Sequence, residues 1–206
     1  MSDLKKLELM VKKRIKNDPA HDFEHIMRVY KNVKKIAKYE RVNLHLVLTA
    51  ALLHDIISFP KSDKRSKLSS LKSAQEAKKI LEKHNYVKND IKIIIDAILD
   101  HSFSRNKIPR TIEGKILQDA DRLDALGAIG IARMFVVGGT ENRPIYNVFD
   151  PFCCIRIPDD KKWTVDHFYR KLLTLEHKMN TKSAKKEAHH RTKVMKKFLN
   201  QLKQEV

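Results

Sequence analysis

Residues 44–57 read Leu-His-Leu-Val-Leu-Thr-Ala-Ala-Leu-Leu-His-Asp-Ile-Ile, and this stretch decides the fold. Apolar side chains occupy nearly every position around a helix here, which predicts the central, most buried helix of a helical core. His54 and Asp55 stand near its end. A carboxylate in such surroundings is costly unless it is paired, hydrogen-bonded or bound to a metal. That cost is the main bottom-up argument for a metal ion.

Three other segments carry the same chemistry: His21-Asp22-Phe23-Glu24-His25, Asp100-His101, and Asp119-Ala120-Asp121-Arg122-Leu123-Asp124. Imidazole and carboxylate are the donors that a divalent cation takes, so helices converging on the four segments would build a metal site.

The rest of the chain fits an all-α protein. It has 206 residues, 42% of them apolar, with only 5 Gly and 6 Pro, and apolar residues recur at spacings of three and four. A first helix is expected over 4–16, ended by Asn17-Asp18-Pro19. Residues 22–40 place Ile26, Val29, Tyr30, Val33, Ile36 and Ala37 on one face, with His25 one turn before Val29 at the core margin. Residues 58–70 read as a cationic loop. Helices follow at about 72–84, 89–101 and 111–126, the last interrupted near Gly127, resuming through Val136 and ended by Gly138-Gly139. The stretch 138–162 holds Pro144, Pro151 and Pro158 with Tyr146, Phe149 and Phe152, and is expected to be an irregular insertion packed over the core, with a lid as one reading of it. Two helices, near 164–179 and 183–204, close the chain. The expected organisation is one domain over 1–206, with a metal-binding core at 20–137, the insertion at 138–162 and C-terminal helices at 163–206.

Cys153 and Cys154 are adjacent and cannot form an ordinary structural disulfide, and core packing is the expected role. No signal-peptide pattern begins the chain, which points to the cytoplasm, and no apolar run reaches the roughly 20 residues of a membrane span. The net charge is +18, and residues 161–206 alone hold 13 Lys and Arg against 4 Asp and Glu. No aromatic residues are interleaved with these cations as in single-strand stacking platforms, so solvated helix faces are favoured over nucleic-acid binding.

Within 119–124 periodicity leaves the ligand open. Asp119 and Asp121 are about 200° apart on a helix, whereas Asp121 and Asp124 share a face. Asp22 is equally readable as a helix N-cap or as a partner of the His25 imidazole.

The ordered segments HDFEHIMRV, ALLHDI, LDHSFSR and QDADRLDALGAIGIAR, with the tail HFYRKLLTLEHKMNT, resemble the HD-domain metal-dependent phosphohydrolases, in particular their stand-alone bacterial-type branch. The resemblance covers most of the chain from residue 20 onward. It implies an HD-domain helical bundle with a C-terminal helical extension, and metal ligands His25, His54, Asp55 and Asp121, leaving Asp119 and Asp124 to orient ligands or neutralise Arg28 and Arg122. The implied ion is manganese (Mn2+), with Fe2+, Co2+, Ni2+ or Mg2+ as alternatives. The implied reaction is hydrolysis of nucleoside triphosphates to monophosphate and pyrophosphate.

An ion held by four ligands keeps positions open for water and a phosphate oxygen. Asp55, Glu24 and Glu76 are the candidate proton acceptors, and Arg28, Lys61, Lys64 and Arg65 the candidate phosphate contacts. His101 can contact substrate phosphate, hold a second metal or be structural; with one distal histidine a mononuclear site leads. The rival readings are a 5′-nucleotidase or phosphodiesterase acting on another small phosphorylated substrate, and a basic nucleic-acid-binding protein with a structural metal site.

Overall fold

The computed structural model describes residues 3–15, 22–59 and 63–206. The fold is all-α, and no strand occurs among the described residues. The chain forms two compact units that meet in sequence at Asp121 and Arg122.

The first unit holds α1 (Asp3–Arg14), α2 (Phe23–Ala37), α3 (Leu44–Leu53), α4 (Ser69–Lys83), α5 (Lys88–Asp100) and most of α6 (Ile112–Asp124). As its uninterrupted apolar sequence requires, α3 is the centre: Leu46 to Leu53 are all buried, and α1, α2, α4 and α5 pack around it. Its start is fixed by Asn43, whose side-chain oxygen accepts from the amides of His45 and Leu46 at 3.2 and 3.4 Å. α2 buries the stripe Ile26, Val29, Val33 and Ile36. Each such side chain contributes about 1.5–3 kcal/mol by leaving water, so the core fixes the helices that carry the site.

Asp22 turns out to be the N-cap of α2, its Oδ1 accepting from His25 N–H at 2.7 Å. The cationic segment after α3 contains a short 3-10 turn, Lys64–Leu68, before α4. Ser73 on α4 ties down the residues after His54-Asp55: its Oγ accepts from Ile57 N–H at 3.1 Å and donates to Ile57 O at 2.9 Å.

The second unit contains α7 (Gly127–Thr140), α8 (Asp166–Arg170) and α9 (Lys182–Glu205). The break before α7 falls where the glycine stands, because Gly127 has φ +74°, which disfavours a side chain. Gly138-Gly139, by contrast, does not end the helix, which runs on to Thr140. A Cβ on Gly138 would lie 2.3 Å from Thr164 Oγ1, so the glycine is a packing notch. The helix expected over 164–179 is broken at Lys171 (φ −136°, ψ −59°) and continues as a 3-10 segment, Leu172–Lys178. Apolar spacing does not separate α from 3-10 geometry over so few residues. α9 begins at the Thr181 cap and buries Ala184, Ala188, Thr192, Met195 and Leu199 at spacings of three and four.

Residues 141–163 contain no helix, and they do not pack as their composition suggested. Asp150 is buried while Val148, Phe149, Ile155 and Ile157 lie in solvent. Cys154 is exposed and Cys153 only half-buried, so neither is a core residue. No single helix among the described residues is long and apolar enough to cross a membrane.

Candidate metal centre

His54 and His101 are positioned by one device used twice. Each is the residue after the end of a helix, α3 and α5 respectively, where the last carbonyls lack helical partners. His54 Nδ1 donates to Ala51 O at 2.8 Å and His101 Nδ1 donates to Ile98 O at 2.6 Å. A carbonyl only accepts, so Nδ1 of each ring carries a proton and Nε2 faces away from its helix.

Those Nε2 atoms meet the other site residues. His25, on the first turn of α2, brings its Nε2 to 3.3 Å from His54 Nε2, 3.6 Å from Asp55 Oδ2 and 3.5 Å from Asp121 Oδ1. Asp55 Oδ2 is 3.8 Å from His54 Nε2, and Asp55 Oδ1 is 3.7 Å from His101 Nε2. The histidines are buried, while Asp55 keeps 12% and Asp121 26% of its side chain exposed, so the cluster opens to solvent on the carboxylate side.

Electrostatics favour a cation at the centre. Burial pushes His54 down to about 4, which keeps its ring neutral. Burial pushes Asp55 up, but its electrostatic interaction with His54 and its hydrogen bonds with His101 and His25 hold it well below the carboxylate range. Asp121 is likewise held low against burial by His101, His25 and His54. Burial lowers His101, and its bond to Asp55 with the charges of Asp55 and Asp121 more than offsets this, so its pKa is raised. Among the described residues no Lys or Arg forms an ion pair with Asp55 or Asp121. Imidazole lone pairs and two ionised carboxylates without a basic partner are a donor set that fits a divalent metal. Two overlapping triads can hold an ion, His25-His54-Asp121 and His54-Asp55-His101, with ligand atoms within 4.8 Å of one another. Asp121, not Asp119, stands in the first of these triads.

The other sequence candidates scatter. Glu24 is exposed on the first turn of α2. Glu76 binds Arg14 at 2.8 Å through one oxygen and lies 3.8 Å from Lys79 through the other. Arg28 is half-buried on α2, three residues after His25, and Lys64 is exposed. Arg65 grips Asp63 at 2.7–3.1 Å and lies over the Phe59 ring at 4.7 Å. Lys61 lies outside the described residues. Asp124 accepts from Arg133 at 2.7 Å, and Arg122 donates to Lys178 O.

Two buried amides went unnoticed in the sequence. Asn32 Nδ2 donates to Ala120 O at 3.1 Å, tying the helix of His25 to the residue before Asp121. Gln118 Nε2 donates to Asp100 O and Lys107 O, both at 2.8 Å, fastening the segment after α5 to α6. Asn32 was detectable as a polar residue inside the stripe Val29, Val33, Ile36, seven residues after His25.

The model of the HD domain family matches residues 22–126. The uncharacterized protein YpgQ of Bacillus subtilis (strain 168) is 35% identical over 190 residues, 90% of this chain and 84% of that protein. Its crystal structure in complex with ADP is similar with a TM-score of 0.78 at 33% identity, over 98% of this chain and 94% of that one. An HD-superfamily hydrolase of Bacillus thuringiensis gives a TM-score of 0.75 at 34% identity, over 98% and 95%. With the His/Asp cluster in place on the matching helices, the chain belongs to the HD-domain family and is a metal-dependent phosphohydrolase.

Proposed function

We propose that this phosphohydrolase acts on nucleotides, cleaving nucleoside triphosphates to monophosphate and pyrophosphate, with manganese as the ion. The observation that carries the reading is the cluster itself, with imidazole and carboxylate donors gathered together and, among the described residues, no Lys or Arg paired with Asp55 or Asp121. The nucleotide class is supported by the ADP bound to YpgQ in its crystal structure.

His25, His54, Asp55 and Asp121 are the ligands in this reading. The ion, when bound, supplies positive charge to phosphoryl oxygens and acidifies water. The chain's own groups do the rest. The carbonyls of Ala51 and Ile98 hold the His54 and His101 rings in the tautomer that presents Nε2. His101, its pKa raised beside Asp55, takes a second proton at Nε2 and as an imidazolium donates from there to a phosphate oxygen. Asp55, ionised and mostly buried with one edge reaching solvent, is the carboxylate placed to take a proton from the attacking water. Glu24 is the next candidate by position. Glu76 is disfavoured, since both its oxygens face cations. Arg28 and Lys64 offer positive charge to the phosphate chain, as does Lys61, while Arg65 must first leave Asp63.

Product analysis tests this directly. Purified protein with manganese is given nucleoside triphosphates, monophosphates and cyclic nucleotides. Equal amounts of nucleoside monophosphate and pyrophosphate from triphosphates are expected, with turnover lost in Asp55→Ala. Orthophosphate from monophosphates or ring-opened products from cyclic nucleotides would replace this bond choice. Polynucleotide binding that survives Asp55→Ala, without turnover of any compound, would overturn the small-substrate reading.

A further inference from the structure

In the second unit α9, 24 residues long, is basic along one face. Lys182, Lys185 and Lys186 stand at its start, Lys193, Lys196 and Lys197 in its middle and Lys203 near its end, and all of them are exposed. At 100° per residue they fall within about 60° on either side of Lys182, so they form one straight stripe about 32 Å long. Among the described residues none of these lysines forms an ion pair. The two acids of the helix, Glu187 and Glu205, share a direction about 140° away from Lys182. They are engaged there, Glu187 with Arg191 at 2.7 Å and Glu205 with Gln201 at 2.8 Å.

A solvated helix face looks different in the same chain. On α4 Lys78 lies 3.9 Å from Glu82 and Lys79 3.8 Å from Glu76, and on α1 Lys5 lies 2.8 Å from Glu8. Lysines there alternate with acids at spacings of three and four, which supports a helix. At the same spacings α9 sets Lys182 against Lys185 and Lys186, and Lys193 against Lys196 and Lys197, where like charges weaken it. Such a row, kept clear of the helix's own acids, is complementary to a row of negative charge on another molecule.

We propose that the stripe is a docking surface for double-stranded DNA, held through its phosphates without regard to base sequence. A duplex presents one negative charge per about 1.7 Å of its axis, and one turn is about 34 Å long, the length of the stripe. Lysine is a compact point charge suited to single phosphate oxygens. Other polyanions fit less well. The one aromatic residue of α9, Phe198, packs on Phe135 and Phe168 with ring centroids 5.9 Å apart, so unpaired bases of a single strand find no stacking platform. Duplex RNA is recognised largely through its 2′-hydroxyls, to which lysines offer no acceptor. A bilayer gains charge but no insertion: Ala184, Ala188, Met195 and Leu199 are buried, and between Lys182 and Lys203 the one exposed apolar side chain is Val194.

Fluorescence anisotropy of a labelled DNA duplex of about two helical turns, titrated with the full chain at several salt concentrations, tests the inference. Wild type is expected to bind at low salt with a Kd on the order of 10⁻⁶ M, and log K to fall against log[salt] with a slope of about −4 or steeper. The triple variant Lys186→Gln, Lys193→Gln, Lys197→Gln keeps good helix formers. It is expected to bind about a hundredfold more weakly and to flatten the slope by about 3, with helix content retained and the melting temperature no lower. Lys72→Gln, Lys78→Gln, Lys79→Gln on α4 removes the same charge and is expected to leave the slope as in wild type. Asp55→Ala is expected to bind the duplex like wild type, which separates this surface from turnover at the metal centre. No duplex binding at low salt, equal losses in the two triple variants, single-stranded DNA or duplex RNA bound as tightly as duplex DNA, or attachment to phosphatidylserine vesicles without duplex binding would overturn it.

Discussion

Two regions of the chain gather aspartates in protein interior, and they are balanced in opposite ways. In the second unit Asp166 receives both prongs of Arg156, and Asp150 receives three backbone amides. In the first unit, among the described residues, the ion-pair partners of Asp55 and Asp121 are imidazole nitrogens. A carboxylate that brings its own cation or amides is complete, and its work is to hold backbone. A carboxylate facing lone-pair donors is complete only with an external cation, and its work is chemistry. The contrast separates structural from functional acid groups more sharply than burial does, since Asp166 is more enclosed than Asp55.

Exchanging the consequences of mutation breaks the comparison most severely. Asp55→Ala is expected to reduce turnover to background with the fold retained. Asp166→Ala is expected to destabilise the protein by about 3–5 kcal/mol, because Arg156 loses its buried partner, while metal affinity per folded molecule stays at the wild-type value. Manganese titration beside chemical denaturation measures both, and weaker metal binding in Asp166→Ala would erase the distinction.

Next in size is removal of the ion. A ligand at a hundred times its Kd stabilises by about 2.7 kcal/mol, so chelation should lower the melting temperature. Amide exchange should accelerate around His54 to Ile57 and stay unchanged at Cys154 to Arg156.

The buried amides sharpen the account. Asn32→Leu and Gln118→Leu are each expected to weaken metal affinity about tenfold through displaced ligands, measured by titration against a melting control. Loss of stability with unaltered affinity would make them mere cross-links.

The smallest effect concerns pH. The amides of Ile155 and Cys154, helped by Arg156, hold Asp150 below its ordinary range. A carboxyl depressed in the folded state stabilises fully above its unfolded pKa of about 3.9 and loses that contribution as pH falls through the folded value. Fluorescence of Trp163, which lies against Arg156, should therefore stay constant from neutral pH to about pH 4 and change only below it.

Much of this was legible in the sequence. Residues 44–53 are apolar on every side, so the central helix and the oddity of His54-Asp55 at its end could be read directly. Periodicity did not separate Asp121 from Asp119, because both fall on one helix; the resemblance implied Asp121, and it is Asp121 whose Oδ1 lies 3.5 Å from His25 Nε2. The twin carbonyl anchors of His54 and His101 depend on where α3 and α5 stop, and helix ends are poorly fixed by periodicity. The 144–158 stretch was misread for a different reason. Apolar composition says that a surface prefers to leave water, but not whether its own chain or another molecule covers it.

The most direct test of the central claim is the metal stoichiometry of purified protein, measured for wild type and Asp121→Ala after manganese loading and desalting. The account predicts one ion per wild-type chain and loss of that ion in the variant while it remains folded. An ion retained in Asp121→Ala, or none bound by wild type, would contradict it.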